Sequence, residues 1–560
     1  MHFSGSKEVS LILGTHSHPG LTMKIAVDGQ EFSVTTKLVE SESSTSVLTA
    51  YMFPWFNGPS GLDRLRRLDL GFFITTLLEL DLSYNELKGE IPHGISNFQN
   101  LESLSLGYNH LTGKIPESFG QLKHLTTLDL QHNSFSGSIP SSLGNLSYMS
   151  SLILCDNKLN GTLPKSLGVL SNLEQLDVKD NFLGGSVDEV FFTKLFKLKY
   201  LVMSRTSLFF DVNSHWVPPF QLKYVDMSSC KIGPNFPVWL QTQRSLQVLL
   251  MSKSGILGTA PGWFWNWTSK VYSIDLSSNH IEGRIPYSMG SLFALKALRL
   301  HNNNIFGDIP SSLKKCSNLG LIDIGENHLS VAIPFWIGEM TSLTILRLRS
   351  SGFRGRIPLQ ICQLSSLKVL DLANNSLSGS IPKCLNFISA MAMPHSESYE
   401  TIEYFEDEGH YFESLMLVPK GEELEYEENL IFVSIIDLSS NNLTGSIPTE
   451  ISVLSELCRI PSSTQLQSFD ALSYTEILNF VDPELCGAPL KTNCTKEQES
   501  DGATPVGKAE DDSETSWFYT ETSWFYIGLG AGFAVGFWGV CAAPCFKKTW
   551  RHAYLLFVNE

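Results

Sequence analysis

Apolar residues recur along most of this chain at a fixed spacing, exemplified by LTTLDLQHNSFSGSIPSSLGNLSY, which begins at Leu125. The asparagine of this pattern, or a residue in its place, recurs every 24 or 25 residues from position 85 to position 375, and once more at Asn441. In the LxxLxL part, leucines alternate with other residues, which predicts a short strand with its leucines pointing inward. This periodicity indicates a solenoid, in which each coil adds one strand to a parallel sheet.

Two further features of the pattern predict the turns of each coil. The asparagine amide is suited to bonding backbone groups that a buried bend leaves unpaired, and Cys230 and Ser254 are among the residues that replace it. The GxIP stretch, for example Gly137–Pro140, predicts a turn residue with positive φ and then an extended segment that ends at proline. Because each coil buries its leucines only against its neighbours, both ends of the solenoid require caps.

Charge is concentrated in two segments outside the regular pattern. The 560-residue chain has a net charge of −17, which argues against nucleic acid as a partner. Residues 395–430 hold twelve acidic side chains against one lysine, and residues 497–521 hold eight against one lysine. The rest of the chain is close to neutral, so the acidity does not characterise the repeats.

The cysteines and glycosylation sequons favour a secreted route. Ten cysteines in 560 residues do not make a disulfide framework, and most stand alone in regular sequence, as small buried hydrophobic side chains do. Only Cys486 and Cys494, in PELCGAPLKTNC, are spaced like a local disulfide pair. The six Asn-x-Ser/Thr sequons are at Asn145, Asn160, Asn266, Asn374, Asn442 and Asn493.

The repeats and several irregular motifs together resemble a known family. The motifs are WVPPFQLKYVDMSS at 216–229, WFWNW at 263–267, RIPSSTQLQSFDALSY at 459–474 and PELCGAPLKTNC. With the LSxNxLxGxIP unit, they resemble the plant receptor-like proteins with extracellular leucine-rich repeats, the family of fungal xylanase receptors and apple scab resistance proteins. The resemblance covers about residues 77–552. It implies an immune or developmental receptor without a kinase domain that signals by recruiting receptor kinases.

The expected fold class is α/β, a leucine-rich-repeat solenoid of the plant extracellular type with a parallel β-sheet on its concave face, plus one transmembrane helix. The predicted segments are an atypical, poorly ordered N-terminal segment (1–61), leucine-rich repeats (62–385), an acidic island (386–430), a further repeat (431–458), a C-terminal cap (459–494), an acidic juxtamembrane stalk (495–523), the transmembrane helix (524–546) and a short cytoplasmic tail (547–560). In family members such an island shapes ligand or co-receptor binding. A solvated acidic loop without a specific role is the alternative.

An uncharged stretch near the C-terminus predicts the membrane topology. Residues 524–546 are long enough to cross a bilayer, and Lys547, Lys548 and Arg551 follow them directly. The positive-inside rule then predicts a type I single-pass protein of the plasma membrane, with the repeats outside the cell.

Three glycines of this span suggest a helix partner. Gly528, Gly532 and Gly536 form two overlapping GxxxG steps on one helix face, which allows another helix to approach closely. In the resembled family this face is implied to hold an adaptor receptor kinase. A glycine-rich span without specific pairing is the alternative.

The outward positions of the strands predict a ligand-binding surface on the concave face. Arg347 and Arg349 lie on one strand and suit a ligand carboxylate. Some peptide-binding repeat kinases use a similar Arg-x-Arg pair, so the resemblance implies a peptide C-terminus as ligand. A solvated charge ladder is the alternative. The candidate ligand-binding residues are Arg299, His301, Asp323, Glu326, Arg347 and Arg349.

The motifs of catalysis are missing from the sequence. It contains no kinase motif set, no HExxH, no GxSxG and no CxxC pair, so we expect a protein that is not an enzyme and requires neither cofactor nor metal. The expected partners are an extracellular peptide, glycan or microbial protein, an adaptor receptor kinase and a co-receptor kinase.

Three departures from the family favour a truncated receptor. The first sixty residues lack an apolar signal-peptide region and the family's paired-cysteine cap. Two strand cores stand only twelve residues apart in LRRLDLGFFITTLLELDLSYN. The sequence then passes from Leu457-Cys458 directly to RIPSSTQLQSF, where the family has further repeats. The other functional interpretations are a polygalacturonase-inhibitor-like binding protein, which the membrane span disfavours, and a non-signalling truncated paralogue.

Overall fold

The structure is a computed structural model that describes residues 77–267, 270–392 and 434–453, together with the backbone of eight short strands outside these ranges. All of the described residues belong to the compact unit Met1–Cys494. The predicted disulfide pair Cys486 and Cys494, the sequon at Asn493 and the predicted membrane span lie outside the described residues. Among the described residues, no helix is long and apolar enough to cross a membrane.

Each coil contributes one short strand to a long parallel sheet, as the leucine pattern predicts. The fourteen repeat strands are β5 (Leu77–Asp81), β7 (Ser103–Ser105), β9 (Thr127–Asp129), β11 (Ser151–Ile153), β13 (Gln175–Asp177), β15 (Tyr200–Val202), β17 (Tyr224–Asp226), β18 (Val248–Leu250), β20 (Ser273–Asp275), β22 (Ala297–Arg299), β24 (Leu321–Asp323), β25 (Ile345–Arg347), β27 (Val369–Asp371) and β33 (Ile435–Asp437). Each pairs in parallel with the strand of the next coil. The predicted leucine-rich-repeat solenoid is therefore confirmed.

Four strands precede the first repeat strand. They are β1 (Ser10–Gly14), β2 (Leu21–Val27), β3 (Gln30–Thr36) and β4 (Ser46–Thr49). Antiparallel pairing joins β1 to β2, β2 to β3 and β3 to β4, and β4 then pairs in parallel with β5. The first of the two closely spaced strand cores, LRRLDL, lies outside the described residues.

The GxIP segments form a second layer of short parallel strands. One sheet contains β6 (Lys88–Glu90), β8 (His110–Gly113), β10 (Ser134–Ser138), β12 (Lys158–Gly161), β14 (Phe182–Asp188) and β16 (Ser207–Asp211). Two smaller sheets contain β19 (Leu257–Thr259), β21 (His280–Gly283) and β23 (Asn304–Ile305), and β26 (Arg354–Gly355), β28 (Ser376–Gly379) and β34 (Asn442–Leu443). The glycine of GxIP has positive φ, for example 80° at Gly137, which confirms its predicted turn role.

The return stretch of most coils is a 3₁₀ helix that starts after the proline of GxIP. These helices are His93–Asn97, Glu117–Gln121, Ser141–Asn145, Lys165–Val169, Val238–Thr242, Phe264–Asn266, Tyr287–Ser291, Ser311–Lys315, Phe335–Glu339, Leu359–Gln363, Lys383–Phe387 and Thr449–Val453. Two α-helical turns, α1 (Glu189–Phe192) and α2 (Ser389–Ala392), also occur. In the island, β29 (Glu403–Glu406) pairs antiparallel with β30 (Gly409–Phe412), and β31 (Leu415–Leu417) with β32 (Leu424–Tyr426).

The core is a continuous column of apolar side chains between these layers. Leu104, Leu128, Leu152 and Leu176, the central residues of successive strands, are fully buried. Burial of each leucine contributes about 1.5–3 kcal/mol, so stability accumulates coil by coil.

The asparagine of each coil bonds both its own turn and the preceding coil. The Nδ2 of Asn109 donates to the carbonyls of Leu106 and Gly107 at 3.0 Å, and to that of Leu82 at 2.9 Å. Its Oδ1 accepts from the amide of Leu87 at 3.0 Å. The predicted role of this asparagine is therefore confirmed.

The substituted coils keep part of this bonding. The thiol of Cys230 donates to the carbonyl of Met203 at 3.0 Å, and the hydroxyl of Ser254 donates to the carbonyl of Ser252 at 3.2 Å. A single hydrogen atom on each side chain replaces the two of an amide group, so fewer backbone groups are satisfied in these coils.

One disulfide was not predicted from the sequence. Cys362 and Cys384, on the 3₁₀ helices of two successive coils, form a disulfide with a Cα–Cα distance of 5.7 Å. The prediction that solitary cysteines are buried small side chains holds for Cys155, Cys230 and Cys316 but is wrong for this pair. The pair joins neighbouring coils on the side opposite the main sheet.

Candidate functional site

Charged side chains face one another across the last strands of the main sheet, and their sign alternates from Arg299 to Asp371. In the register of β22, β24, β25, β27 and β33, five residues stand opposite one another in succession. They are Arg299, Asp323, Arg347, Asp371 and Asp437. Opposite charges on adjacent strands stabilise such a pairing. We call these five residues, with His301, Glu326 and Arg349, the charged ladder.

Arg347 lies at the centre of the charged ladder. Its Nη1 lies 3.1 Å from Oδ2 of Asp323, and its Nη2 lies 3.3 Å from Oε1 of Glu326. Its Nε lies 3.5 Å from Oδ2 of Asp371. The Arg347 residue is only 1% exposed, and Asp323 is fully buried. A buried guanidinium with these partners is stable only while the carboxylates remain ionised.

Arg349 and His301 extend the ladder on either side. The Nε of Arg349 donates to Asp371 at 2.8 Å, and its Nη2 donates to Asp437. The Nδ1 of His301 lies 2.8 Å from Oδ2 of Asp323. The six candidate residues thus lie on adjacent coils of one surface, and at least five of them contact another member of the ladder.

The electrostatics of the histidine follow from its burial and its partner. Burial lowers the pKa of His301, but the charge of Asp323 and the hydrogen bond to it outweigh burial and raise that pKa. Burial likewise disfavours the Asp323 carboxylate, but His301 and Arg347 outweigh it and lower the pKa of Asp323. The pair is therefore most strongly held when His301 is protonated.

The geometry changes what the Arg-x-Arg pair offers a ligand. We expected the two guanidinium groups to be available to a ligand carboxylate, but they are engaged by Asp323, Glu326, Asp371 and Asp437. The side chains of Glu326, His301 and Arg349 are 37%, 17% and 15% exposed. The part of the ladder that is open to solvent is therefore formed by these three side chains, and Arg347 lies buried beneath them.

Sequence reasoning missed Asp371 and Asp437 as members of the ladder. A signal was present, because both occupy the aspartate position of the LDL-type strand that also holds Asp323. The same position carries aspartate in every second coil, at Asp81, Asp129, Asp177, Asp226, Asp275, Asp323 and Asp371.

A second row of side chains runs along the edge of the main sheet, one residue before each asparagine. This residue has positive φ in every coil, for example 53° at Tyr84 and 49° at His132. The positive φ places successive side chains one above the other at the spacing of the coils. We call the six members of this row in the N-terminal coils the rim row: Tyr84, Tyr108, His132, Asp156, Asp180 and Arg205.

The rim row begins with three stacked rings. The ring centroids of Tyr84 and Tyr108 are 4.2 Å apart with an interplanar angle of 9°, and those of Tyr108 and His132 are 4.3 Å apart at 22°. The Nε2 of His132 lies 3.4 Å from Asp156. Tyr84 is 59% exposed, whereas burial, followed by the effect of Tyr84, raises the pKa of Tyr108. The three rings therefore form one continuous stack, and Tyr84 at its end is largely exposed to solvent.

The described sequon asparagines are exposed. Asn145 and Asn266 lie on 3₁₀ helices, and Asn160 and Asn442 lie on strands of the second layer. Asn374 lies at the edge of the main sheet and donates to the hydroxyl of Ser350 at 2.9 Å. All five positions are sterically open to a glycan.

Comparison with known proteins agrees with the geometry. A leucine-rich repeat region matches residues 73–253, and single leucine-rich repeats match residues 294–316, 366–388 and 433–454. The receptor-like protein EIX2 of Solanum lycopersicum is 36% identical over 125 residues, which are 22% of this chain and 12% of that protein. The chain therefore aligns with only a small part of the length of this relative.

Two solved ectodomains share the fold. The ectodomain of the receptor kinase GASSHO1/SCHENGEN3 from Arabidopsis thaliana, in complex with CASPARIAN STRIP INTEGRITY FACTOR 2, has a TM-score of 0.51 at 26% identity, covering 80% of this chain and 53% of that one. The Arabidopsis receptor kinase HAESA, in complex with the peptide hormone IDA and the co-receptor SERK1, has a TM-score of 0.51 at 26% identity, covering 80% of this chain and 70% of that one.

The stacked coils and the family matches define a leucine-rich-repeat protein of the ectodomain type found in plant receptors. Within that class, the chain is similar to plant leucine-rich-repeat receptor-like proteins, EIX2 and EIX1 of Solanum lycopersicum among them.

Proposed function

We propose that this chain is a cell-surface receptor-like protein that recognises an extracellular ligand on its concave face and signals through partner receptor kinases in plant defence or development. The observation that carries the proposal is the charged ladder, a fixed set of polar side chains on the concave face. Its members have partly exposed edges at His301, Glu326 and Arg349. Ligands of comparable solenoids in the solved complexes are peptide hormones.

The exposed edge of the ladder favours a peptide or protein ligand that carries both charges. Glu326 offers a carboxylate and Arg349 offers a guanidinium, and the two residues lie on adjacent coils. Charged groups held in place by buried partners lose little conformational freedom when a ligand binds. We therefore propose Arg299, His301, Asp323, Glu326, Arg347 and Arg349 as the ligand site, with Asp371 and Asp437 as residues that position the arginines.

A synthetic peptide library tests this ligand site. Full-length chain is incubated with random dodecapeptides that end in a free carboxylate, and with the same library as C-terminal amides. We expect enrichment of charged peptides by the wild-type chain and its loss in Glu326→Gln and Arg349→Gln. The variant Lys383→Gln, on the opposite side of the solenoid, is the matched control. Equal enrichment by all four proteins would refute a ligand site at the ladder.

The proposed location is the plasma membrane, with residues 524–546 as a single span and the repeats outside the cell. Exposure of the five described sequon asparagines supports this orientation. A glycosidase shift on the full-length chain expressed in plant cells tests it directly. Loss of mass on removal of N-glycans is expected. An unchanged mass would mean that the sequons never entered the secretory lumen, and the receptor proposal would fail.

The proposed signalling partner is an adaptor receptor kinase that pairs with the span through Gly528, Gly532 and Gly536. Replacing Gly532 by leucine fills the face that another helix would approach. Gly530 lies off that face and provides a matched control, because Gly530→Leu adds the same side chain. We expect co-purification of a kinase from plant membranes to fall with Gly532→Leu and not with Gly530→Leu. Equal recovery with both variants would remove the glycine face from the proposal.

A further inference from the structure

The row of positive-φ residues that precede the asparagines continues into the C-terminal coils, where it passes beside the charged ladder. Its members there include Glu326, Ser350 and Asn374, with φ of 53°, 53° and 52°. The amide of Glu326 donates to the carbonyl of Arg349 at 2.7 Å, and the amide of Ser350 donates to the carbonyl of Ala373 at 2.9 Å. Asn374 therefore lies two coils from Glu326, about 10 Å along the edge of the sheet.

The side chain of Asn374 points back toward the charged ladder. Its Nδ2 donates to the hydroxyl oxygen of Ser350 at 2.9 Å, and Ser350 follows Arg349 directly in the sequence. Arg349 is one of the three ladder side chains that are open to solvent. Asn374 is exposed and begins the sequon completed by Ser376, so its Nδ2 is the atom to which a sugar is attached. A glycan on Asn374 would therefore begin beside the coil that carries Arg349.

This position distinguishes Asn374 from the other described sequons. Asn145 and Asn266 lie on 3₁₀ helices, and Asn160 and Asn442 lie on strands of the second layer. Asn374 lies at the edge of the main sheet, in the row that borders the charged ladder. Glycans on the other four asparagines would leave the ladder open, whereas a glycan on Asn374 would stand next to it.

The hydrogen bond between Asn374 and Ser350 is compatible with glycosylation, because an amide nitrogen carries two hydrogen atoms. In the modification, a bond forms between Nδ2 and C1 of the first sugar, and Nδ2 loses one proton. The bond between C1 and the diphosphate of a lipid-linked oligosaccharide donor breaks, and its electron pair leaves on the diphosphate. The remaining hydrogen atom can still be donated to Ser350. That bond would hold the first sugar in one orientation at the edge of the sheet.

Asn302 has the same structural role without a sequon. It occupies the same position three coils earlier, with φ of 54°, and its Nδ2 donates to the hydroxyl of Ser278 at 3.3 Å. Residue 304 is asparagine, so Asn302 is not a glycosylation acceptor. The asparagine at this position therefore contributes a hydrogen bond of its own. A test of the glycan must keep Asn374 and remove only the hydroxyl residue of its sequon.

We propose that an N-glycan on Asn374 screens the open part of the charged ladder, so that the ladder binds a short extended peptide and excludes a folded protein. A glycan is bulky, and one attached two coils from Glu326 reaches over Glu326 and Arg349. An extended peptide can lie along the strands beside such a group, whereas a folded domain meets it first. The inference rests on the proposed function, because it narrows the class of ligand for the site proposed there.

Thiol accessibility tests the screen without any ligand. Glu326→Cys places a thiol in the open part of the ladder of the full-length chain made in plant cells. Peptide mapping compares labelling at position 326 by a small maleimide with labelling by a maleimide on a long polyethylene-glycol chain. We expect the ratio of polymer labelling to small-reagent labelling to rise severalfold when Ser376→Ala removes the sequon. Ser376→Thr keeps the sequon and should leave the ratio unchanged. Lys253→Cys, in the same row five coils from Asn374, should give one ratio with or without the glycan.

Peptide binding tests the consequence for the ligand. A charged dodecapeptide recovered from the library is offered to the full-length chain either free or fused to a folded carrier protein. We expect the wild-type chain to bind the free peptide at least about tenfold more tightly than the fusion. The Ser376→Ala chain should bind both forms alike, because it lacks the glycan. The same preference for the free peptide in both chains would overturn the proposal.

Glycopeptide mapping separates failure of this inference from failure of the proposed function. Glycans on Asn145 or Asn160 together with an unmodified Asn374 would overturn the screen and leave the receptor proposal intact. A labelling ratio at position 326 that Ser376→Ala does not change would do the same. Absence of a glycan from every sequon would instead refute the secretory route, on which both proposals depend.

Discussion

Arg349 and Asp437 form an ion pair although 88 residues separate them in the sequence. The partner of Arg349 on the intervening coil is Asp371, 2.8 Å away. One guanidinium therefore connects β33, the strand after the island, to two coils before it. Both side chains are largely buried, at 15% and 9% exposure.

Loss of this connection should loosen the last described coil. Asp437→Asn leaves Arg349 with a single carboxylate, and breaking a buried pair costs about 3 kcal/mol. We expect faster hydrogen exchange in β33 and earlier proteolysis after β27, with unchanged exchange in β7 to β13. Glu450→Gln, which breaks the exposed Lys383–Glu450 pair, serves as the control. Similar exchange in both variants would mean that the last coil is held by apolar packing alone.

The pair of His301 and Asp323 predicts a dependence of stability on pH. The pKa of His301 is raised in the folded chain, so the stabilisation is complete below the unfolded value of about 6.5 and is lost as pH rises through the higher folded pKa. The groups that set this pKa after burial are Asp323, Arg347 and Asp275.

Thermal unfolding of wild type and His301→Gln measures this effect. The difference in midpoint should be largest at about pH 5.5 and should shrink above neutral pH. His280→Gln replaces an exposed histidine and should show no such trend. A difference that grows as pH rises would contradict the assigned sign.

The buried asparagine of each coil predicts that a single substitution there will strongly lower the free energy of unfolding. In Asn157→Ala, the carbonyls of Leu130, Leu154 and Cys155 and the amide of Phe135 lose a buried partner. We expect unfolding free energy to fall by about 3 kcal/mol. Asn172→Ala, at the surface, should cost about 0.5 kcal/mol or less. Urea unfolding of the full chain compares the two variants. Equal losses of unfolding free energy would show that the hydrogen bonds of the buried Asn157 side chain do not stabilise the fold.

The disulfide between Cys362 and Cys384 should stabilise the folded chain, and chemical reduction should remove that stabilisation. It closes a loop with a sequence separation of 22, for which loop-closure entropy gives about 3 kcal/mol. Peptide mapping without reductant should recover the two cysteines as one linked peptide. Cys155, Cys230 and Cys316 are buried and should resist alkylation until the chain unfolds. Free Cys362 and Cys384 in protein from the secretory route would contradict the pairing.

The repeat predicted the strands, the turns and the inward asparagines because each depends on residues within one coil or its neighbour. Leu128, for example, is buried because its own coil and the adjacent coils cover it. The disulfide joins two successive coils, but cysteine is not part of the repeat pattern, so the pattern does not predict it. The pairing of Arg349 with Asp437 depends instead on which coils become neighbours in space. The island separates β27 from β33 in the sequence, although the two strands are adjacent in the sheet. The sequence therefore does not show directly that Asp437 is a neighbour of Arg349. Sequence reasoning therefore placed Arg347 and Arg349 on the correct face and missed two of their partners.

The stack of Tyr84, Tyr108 and His132 was missed for a different reason. These residues stand one before each asparagine, a position whose chemistry varies freely from coil to coil. Only the observed spacing of 4.2–4.3 Å between ring centroids shows that three such residues form one surface.

The direct pairing of Val369, Leu370 and Asp371 with Ile435, Ile436 and Asp437 has a consequence for how such chains diversify. The sheet passes from one coil to the next in unbroken register, regardless of how many residues lie between them in the sequence. An insertion at this junction can therefore lengthen, shorten or change composition while every backbone hydrogen bond between β27 and β33 is kept. The junction is a place where new recognition segments can be acquired without re-optimising the solenoid that carries them.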